Sequence, residues 1–330
     1  MPNKIVFFEV RDWEKEYLGR IFSDAAFFSG TFSAEQARDA EVVSIFVDSK
    51  IDTHTLEKLT SLKMITVRAT GFDNVDVVAC KARGVIVCNV PHYGENTVAE
   101  HTFGLILDLS RKIHQSIARV KEQGFSFEGL TGFDLKGKTL GIVGLGHIGQ
   151  RVAHIGAGFE MNVIAFDPKE DKKLAKQLGL TYVSFEDVLK QSDIITLHVP
   201  HNEHTHHLIN KSNIHTIKKG AYLINTARGG IVETEALVEA LKEQILAGVG
   251  LDVLEEEAAI KEEAHLLVSG RSADIKTLLE DHVLMEMDNV IITPHNAFNS
   301  KEALERILET TVENIQAFQK GKTINSCMIS

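Results

Sequence analysis

The sequence predicts an α/β protein built from two doubly wound parallel-sheet domains. Short apolar runs alternate with helical patterns along nearly the whole chain, which is typical of parallel strands covered by helices on both faces. One strand–helix–strand unit carries a set of spaced glycines, whereas no such set follows the first strand. At 330 residues, the chain is long enough for two domains that each have a core.

The amino-terminal part of the chain predicts the first of the two sheets. Its strands are predicted at residues 5–10, 26–28, 42–47, 64–69 and 85–88. Helical patterns separate them near residues 11–19, 34–40, 53–62 and 74–83. Because no glycine fingerprint follows the first of these strands, we expect a nucleotide to bind elsewhere in the chain.

The glycine-rich stretch indicates a dinucleotide-binding unit of the Rossmann type. A buried strand is predicted at residues 139–143, and the G-x-G-x-x-G turn of Gly144, Gly146 and Gly149 follows it directly. Gly144 permits the tight turn, Gly146 lets the backbone approach a pyrophosphate, and Gly149 lets helix and strand pack closely. A helix and a second strand then lead to Asp167, about 18 residues after Gly149, where a carboxylate can bind the adenosine ribose.

Asp167 also favours NAD over NADP as the cofactor. A 2′-phosphate about 4 Å from this carboxylate would cost roughly 4 kcal/mol at an effective dielectric constant of 20. Lys169 lies two residues further on, where its positive charge can soften this preference, so NAD is the favoured cofactor.

The rest of the chain predicts the second sheet and a final helix. A long helix is predicted at residues 97–121 and strands at residues 194–199, 221–225, 248–253 and 290–293. Helices are predicted near residues 171–178, 185–191, 211–216 and 234–243. Residues 255–287 are charged and helix-prone where a short connection would suffice, and they are interpreted as an elaborated surface loop. The amphipathic helix at residues 301–318 belongs either to the nucleotide unit or to the first domain.

Composition excludes several classes of function. A net charge of −11 argues against a nucleic-acid-binding surface, which needs a basic face. The sequence contains no run of 18 or more apolar residues, which a membrane-spanning helix would need, and the amino terminus lacks the pattern of a signal peptide. Three scattered cysteines do not form a disulfide framework. We therefore expect a cytoplasmic protein.

Three polar residue types at successive strand ends suggest hydride transfer to a 2-oxo acid. Arg228 presents a fork that can hold a carboxylate, and His295 can give a proton to a carbonyl oxygen. A glutamate from residues 255–257, beside the imidazole, would favour its protonated form. Each residue alone has a plainer interpretation, as a surface ion pair, a turn histidine or a solvated acidic run.

The motifs resemble the D-isomer-specific 2-hydroxyacid dehydrogenase family. The similarity rests on GLGHIGQ, INTARGGIV, GLDVLEEE and TPHNAF, and upstream on VRATGFDNVD and NVPHYGENTVAEHTFGLIL, so that it covers nearly the whole chain. Within the family the chain is most similar to the lactate-type members, because Asn-Ala-Phe follows His295.

The resemblance implies roles for individual residues. The family's catalytic histidine falls on His295, its substrate arginine on Arg228, and its histidine-pairing glutamate on Glu257 rather than Glu255 or Glu256. Residues with implied cofactor contacts are Gly144, Gly146, His147, Ile148, Gly149, Asp167, Val199, Pro200, Thr205, Thr226, Ala227, Arg228 and Asp252. Residues with implied substrate contacts are Thr70, Gly71, Tyr93, Arg228, His295 and Phe298.

No metal is implied in catalysis. Four histidines crowd one loop, and we interpret them as an adventitious surface cluster: His201, His204, His206 and His207.

The resemblance also implies the domain order and the reaction. Residues 1–99 and 296–330 would form a substrate domain, and residues 100–295 would form the NAD-binding Rossmann domain. A cleft would separate the two domains, and a homodimer would form through the NAD-binding domain. The reaction implied is the NAD-dependent interconversion of a 2-oxo acid and a D-2-hydroxy acid, foremost pyruvate and D-lactate. Alternatives are hydroxypyruvate, glyoxylate or another 2-oxo acid as substrate, or a non-catalytic NAD-sensing protein similar to the corepressors built on this fold.

Overall fold

The computed structural model describes residues 4–122, 124–255, 257 and 272–327, and the chain divides into two compact units. The first unit comprises residues 1–93 and 299–330, and the second comprises residues 94–298. The domain limits expected from the sequence, 99/100 and 295/296, differ from these bounds by a few residues. The helix that begins at Glu95 lies wholly within the second unit.

Each unit contains one parallel sheet, which confirms the predicted fold class. The first sheet has the order β2-β1-β3-β4-β5, from β1 (Ile5–Phe7), β2 (Ala26–Phe27), β3 (Val42–Ile45), β4 (Met64–Val67) and β5 (Ile86–Cys88). The second has the order β12-β11-β10-β9-β6-β7-β8, from β6 (Thr139–Val143), β7 (Asn162–Phe166), β8 (Thr181–Tyr182), β9 (Ile194–Leu197), β10 (Ala221–Asn225), β11 (Leu246–Leu251) and β12 (Val290–Ile292).

Helices connect the strands and cover the sheets. In chain order, the α-helices of the described residues are α1 (Asp12–Ile21), α2 (Thr53–Glu57), α3 (Val77–Ala82), α4 (Glu95–Arg111), α5 (Ile113–Glu122), α6 (His147–Gly158), α7 (Lys172–Leu178), α8 (Phe185–Gln191), α9 (Thr234–Lys242), α10 (Ser272–Met285) and α11 (Lys301–Gln319). Among these helices, none has the length and apolarity needed to cross a membrane.

The prediction of one helix over residues 97–121 is wrong. The chain leaves α4 at Lys112, whose φ of +52° is left-handed, and then begins α5. A continuous helix would join the Ser110 carbonyl to the amide of residue 114. Instead, Phe133 donates to Ser110 O at 2.9 Å, and the His114 amide donates to the Asp108 carboxylate at 2.8 Å. A tertiary contact and a side chain therefore break the helix.

Two further helix predictions are wrong, and the expectation for residues 255–287 holds in part. Residues 34–39 form turns rather than a helix, and residues 211–216 contain only a short 3-10 helix, Ile214–Thr216. Residues 255–287, interpreted as a surface loop with a helix-prone sequence, include the helix α10. Residue 256 and residues 258–271 of that stretch lie outside the described residues.

Alternate residues of the strands bury on opposite faces of each sheet. In the second unit, Ile194 packs with one apolar cluster and Ile195 with another, so the sheet has a core on each side. In the first unit, Phe7 packs with Leu308 and Ile315 of α11, so the last helix covers one face of the first sheet. Parallel strands need this double cover because both of their faces are apolar.

The strand orders decide where ligands can bind. In the second sheet, the chain proceeds outward from β6 to β8 on one side and then from β9 to β12 on the other. In such doubly wound sheets the binding crevice lies at the carboxyl ends of the strands, where this order reverses. That point lies between β6 and β9, and the glycine turn follows β6 directly.

Candidate active site

The three fingerprint glycines each occupy a position that a side chain would disturb or obstruct. Gly144 has a φ of +94°, and a Cβ there would lie 2.6 Å from His198 O. A Cβ on Gly149 would lie 2.1 Å from Gly144 O, so the start of α6 can approach the turn only without one. A Cβ on Gly146 would meet nothing within 4 Å, which leaves open space over the turn for a ligand.

Asp167 is bonded to the glycine turn. Its Oδ2 accepts the Leu145 amide and its Oδ1 accepts the Lys169 amide, both at 2.8 Å. The two bonds fix the carboxylate at the end of β7, beside the turn. His147 begins α6, and its Nδ1 lies 3.6 Å from Glu95 Oε1. Ile148 follows it in the same first turn of the helix.

The loop after β9 is held by its own threonine. Thr205 donates its hydroxyl to Pro200 O at 2.5 Å and accepts the Asn202 amide at 2.8 Å. Val199, which directly precedes Pro200, is half-buried. Just before this loop, burial lowers the pKa of His198 to about 3, so its imidazole is neutral at physiological pH.

Arg228 lies in a turn that Asn225 stabilises from within. The Asn225 amide group donates to Arg228 O at 2.9 Å and accepts the Ala227 amide at 3.0 Å. The guanidinium of Arg228 donates through Nη1 to Ala227 O at 2.7 Å. Asn225 is nearly fully buried, and its structural role was missed in the sequence, although its position at the end of β10 was a signal.

The arginine turn packs directly on the segment that leads to Glu257. A Cβ on Gly229 would lie 1.9 Å from Leu254 O and 2.5 Å from the Glu255 amide nitrogen. Only glycine allows this approach of the two backbones, so the position of the Arg228 turn depends on it.

His295 and Glu257 form the central pair of the site. The Nδ1 of His295 lies 3.0 Å from Glu257 Oε2. An ionised carboxylate can only accept, so Nδ1 carries the hydrogen and Nε2 is left to exchange a proton with a ligand. Both side chains are about one-third exposed, at 34% for His295 and 30% for Glu257, which gives a ligand access to them.

The neighbouring acidic residue has a different partner. Glu255 Oε2 accepts the amide and the hydroxyl of Thr234, at 3.0 and 2.8 Å, and Glu255 Oε1 lies 2.5 Å from His207 Nε2. Burial opposes ionisation of Glu255, but the hydrogen bonds from His207 and Thr234 outweigh it and keep its pKa below the ordinary value. Glu255 therefore anchors the start of α9, whereas Glu257 faces His295.

The interpretation of four loop histidines as a surface cluster is wrong for His207. His207 is half-buried, bonded to Glu255 and stacked on His206 with ring centroids 3.9 Å apart. His201 Nε2 lies 3.1 Å from His206 Nδ1, and His204 is exposed. The loop thus belongs in part to the support of the acidic segment.

Asp252 and Thr226, expected to contact the cofactor, are buried beneath the carboxyl ends of the strands. Asp252 is fully buried, and its carboxylate accepts the Asn296 and Ala297 amides, both at 2.8 Å. Thr226 is 8% exposed, and its Oγ1 lies 3.0 Å from Thr102 Oγ1 of α4.

The residues expected to contact substrate divide between the two units. Thr70 and Gly71 follow β4 in the first unit, and Thr70 donates its hydroxyl to Val90 O at 3.0 Å. Tyr93 ends that segment of the first unit, and Phe298 ends the second unit; both are half-buried.

The second unit has the features that NAD requires. Open space lies over Gly146, amide groups at the start of α6 can meet a pyrophosphate, and Asp167 stands where an adenosine ribose would bind. Beside these, an imidazole with its Nδ1 bonded to a carboxylate is suited to move a proton through Nε2. The arrangement can therefore combine hydride transfer with proton transfer.

Comparisons with known proteins agree with an NAD-dependent dehydrogenase. The family described as "D-isomer specific 2-hydroxyacid dehydrogenase, NAD binding domain" matches residues 103–297. The D-lactate dehydrogenase of Escherichia coli is 35% identical over 97% of this chain and 98% of its own length. The glyoxylate reductase of Thermococcus litoralis is 37% identical over 87% of this chain and 83% of its own length.

A solved structure extends the similarity to the fold. The D-lactate dehydrogenase of Aquifex aeolicus, complexed with NAD and lactic acid, superposes with a TM-score of 0.89 at 36% identity and covers 99% of this chain and 100% of that chain. The family match spans more than half of the sequence, and the structural match spans nearly all of it. The chain therefore belongs to the D-isomer specific 2-hydroxyacid dehydrogenases and is an NAD-dependent oxidoreductase.

Proposed function

We propose that the enzyme interconverts pyruvate and D-lactate, with His295 as the general acid and base. The observation that carries the proposal is the His295–Glu257 pair, with Nδ1 and Oε2 3.0 Å apart. Glu257 accepts from Nδ1 and so fixes the tautomer and the orientation of the ring. Nε2 then donates a proton to the carbonyl oxygen of the 2-oxo acid, or removes it from the hydroxyl in the reverse reaction.

Arg228 is proposed to bind the carboxylate of the substrate. A guanidinium offers two parallel N–H donors, which match the two oxygens of a carboxylate and orient the carbonyl beside it. When bound, NAD supplies or accepts the hydride at C2 of the acid. The cofactor contacts named from the sequence, and the substrate contacts of Thr70, Gly71, Tyr93 and Phe298, are part of the same proposal.

Pyruvate is the preferred 2-oxo acid in this proposal because of the lactate-type relatives. The similarity to D-lactate dehydrogenases covers nearly the whole chain in sequence and in structure. The glyoxylate reductase of comparable identity makes glyoxylate the foremost alternative, with hydroxypyruvate and larger 2-oxo acids behind it.

A panel of 2-oxo acids tests the proposal. NADH oxidation is followed by absorbance with pyruvate, glyoxylate, hydroxypyruvate and a branched 2-oxo acid, and the product is tested with enantiomer-specific lactate assays. We expect the highest kcat/KM for pyruvate and D-lactate as the sole product. A kcat/KM for glyoxylate or hydroxypyruvate about tenfold above that for pyruvate would assign the enzyme to the alternative substrate, and no turnover would contradict both.

A further inference from the structure

Helix α4 brings a histidine to the carboxyl ends of β11 and β12. The Nε2 of His101 lies 3.0 Å from Thr293 Oγ1 and 3.4 Å from Asp252 Oδ1. One turn further along α4, the Cβ of Leu105 lies 3.1 Å from the place that a Cβ on Gly250 would take. The missing side chain of Gly250 thus lets α4 approach β11 closely, and this approach brings His101 to Thr293 and Asp252.

The hydrogens of this cluster can be assigned by counting donors. The Thr293 hydroxyl has one hydrogen, and it donates that hydrogen to Asp252 Oδ1 at 2.5 Å. The Thr293 oxygen can then only accept from His101, so Nε2 of His101 carries a hydrogen. Asp252 accepts from the Thr293 hydroxyl and the Asn296 amide through Oδ1 and from the Ala297 amide through Oδ2, so both of its oxygens face donors.

The carboxylate at the centre of the cluster is buried and ionised. Burial opposes the charge on Asp252, but the polar groups around it, His101 foremost at 3.4 Å and then Thr293, Ala297 and Asn296, outweigh burial and hold its pKa below the ordinary value. A fully buried carboxylate is costly unless its oxygens are bonded. His101 therefore contributes to the stability of the charge at Asp252.

The same cluster holds the turn that carries His295. The His295 amide donates to Asp252 O at 2.8 Å and to Thr293 O at 2.9 Å, and the two following amides donate to the Asp252 carboxylate. His295 has a φ of +50°, a left-handed conformation that non-glycine residues seldom adopt. The bonds to Asp252 and Thr293 are what hold the backbone there.

We infer that His101 is a positioning residue for His295, acting through Thr293 and Asp252 to lock the turn of residues 293–297. The inference rests on the proton-transfer role proposed for His295. His101 acts on the backbone that carries the imidazole and not on the reacting atoms. Misplacement of a catalytic group by about 1 Å costs on the order of a hundredfold in rate, so a loosened turn lowers turnover strongly.

Three variants test this with kinetics. His101→Leu removes the donor, His101→Gln retains an N–H donor near the position of Nε2, and His154→Leu makes the same change at an exposed histidine of α6. We expect His101→Leu to lower kcat about tenfold to a hundredfold. The kcat of His101→Gln should stay within about threefold of that of the parent enzyme, and the kcat of His154→Leu should equal that of the parent enzyme.

Hydrogen exchange separates this inference from the proposed function. In His101→Leu, the amides of Asn296 and Ala297 should exchange on the order of tenfold faster, as expected for the loss of one hydrogen bond that holds the turn. This readout does not depend on the reaction, so it remains informative even if His295→Ala proves fully active and the proton-transfer role fails. Unchanged exchange and unchanged kcat in His101→Leu would overturn the inference, as would equal losses in the Leu and Gln variants.

A double-mutant cycle tests the route through Thr293. Thr293→Val keeps the size of the side chain and removes the hydroxyl that links His101 to Asp252. If His101 acts through this hydroxyl, His101→Leu should add little to the loss of kcat already present in Thr293→Val. Independent losses that multiply would show that His101 does not act through Thr293, and would contradict the proposed route.

Discussion

At His295, separate partners hold the ring and the backbone. Glu257 accepts from the ring through Nδ1, whereas Asp252 and Thr293 accept from the main-chain amide. Two residues away from Glu257, the carboxylate of Glu255 bonds instead to the start of α9. Glu255 and Glu257 thus have different structural roles, since Glu255 contacts His207 and Glu257 contacts His295.

The first prediction concerns the imidazole itself. His295→Ala should lower kcat by about 10²- to 10⁴-fold, the usual contribution of a general acid–base residue. The Kd for NADH, measured by fluorescence titration, should change little because the cofactor contacts named above lie elsewhere. His154→Ala, at an exposed position of α6, is the matched control and should leave kcat unchanged. Near-normal turnover in His295→Ala would remove this residue from the mechanism.

At the scale of elements, the candidate site residues lie in turns that follow the strands, and the helices and strands position these turns. The arginine turn follows β10 and is closed by Asn225, and its backbone lies against the segment after β11. Such a site depends on close backbone approaches as much as on its functional side chains. The two glycines that follow Arg228 allow this to be tested, since they are adjacent in sequence but a Cβ on each would meet different atoms.

We expect Gly229→Ala to be much more damaging than Gly230→Ala. A Cβ at residue 229 would meet backbone at 1.9 Å, so the arginine turn must move, whereas a Cβ at residue 230 would meet the end of the His201 side chain at 2.9 Å, which can rotate away. Gly229→Ala should lower kcat/KM on the order of a hundredfold. Steady-state kinetics and thermal unfolding of both variants would check this, and equal activities would contradict the packing argument.

At the scale of the whole molecule, the second unit presents apolar side chains that its own core does not cover. Helix α5 has no buried residue, and Ile113, Ile117 and Val120 on it are 43%, 51% and 54% exposed. Phe125 and Phe127, just beyond the helix, are 98% and 90% exposed. Clustered exposed apolar residues mark surfaces of association, in line with the homodimer implied by the resemblance.

We therefore predict a homodimer whose interface includes α5. Ile117→Glu together with Val120→Glu should place charges in that interface and shift the protein from twice the mass of one chain to a single chain, as measured by light scattering after size exclusion. Lys121→Glu, on the same helix and already polar, should leave the mass unchanged. A monomeric parent protein would contradict the prediction.

The cytoplasmic location stays a prediction, which cell fractionation would test.

Much of the site was open to prediction because its signals are local. Gly144, Gly146, Gly149 and Asp167 are recognisable from spacing alone, since each meets a demand of the adjacent backbone or of one ligand group. The alternation of apolar runs and helical patterns likewise reveals parallel sheets, because burial on both faces requires it. The choice of Glu257 over Glu255, by contrast, rested on family resemblance and not on composition.

The sequence by itself therefore determined the fold class, the glycine turn and Asp167 of the cofactor-binding unit, and which polar residues follow the strands. Only the tertiary structure decided that Phe133 ends α4 at Lys112, that Gly229 packs on Leu254, and that His101 reaches Asp252. The physical reason is the range of the interactions. Periodicity and turn chemistry depend on neighbours along the chain, whereas these contacts join residues far apart in sequence and exist only once the helices pack on the sheet.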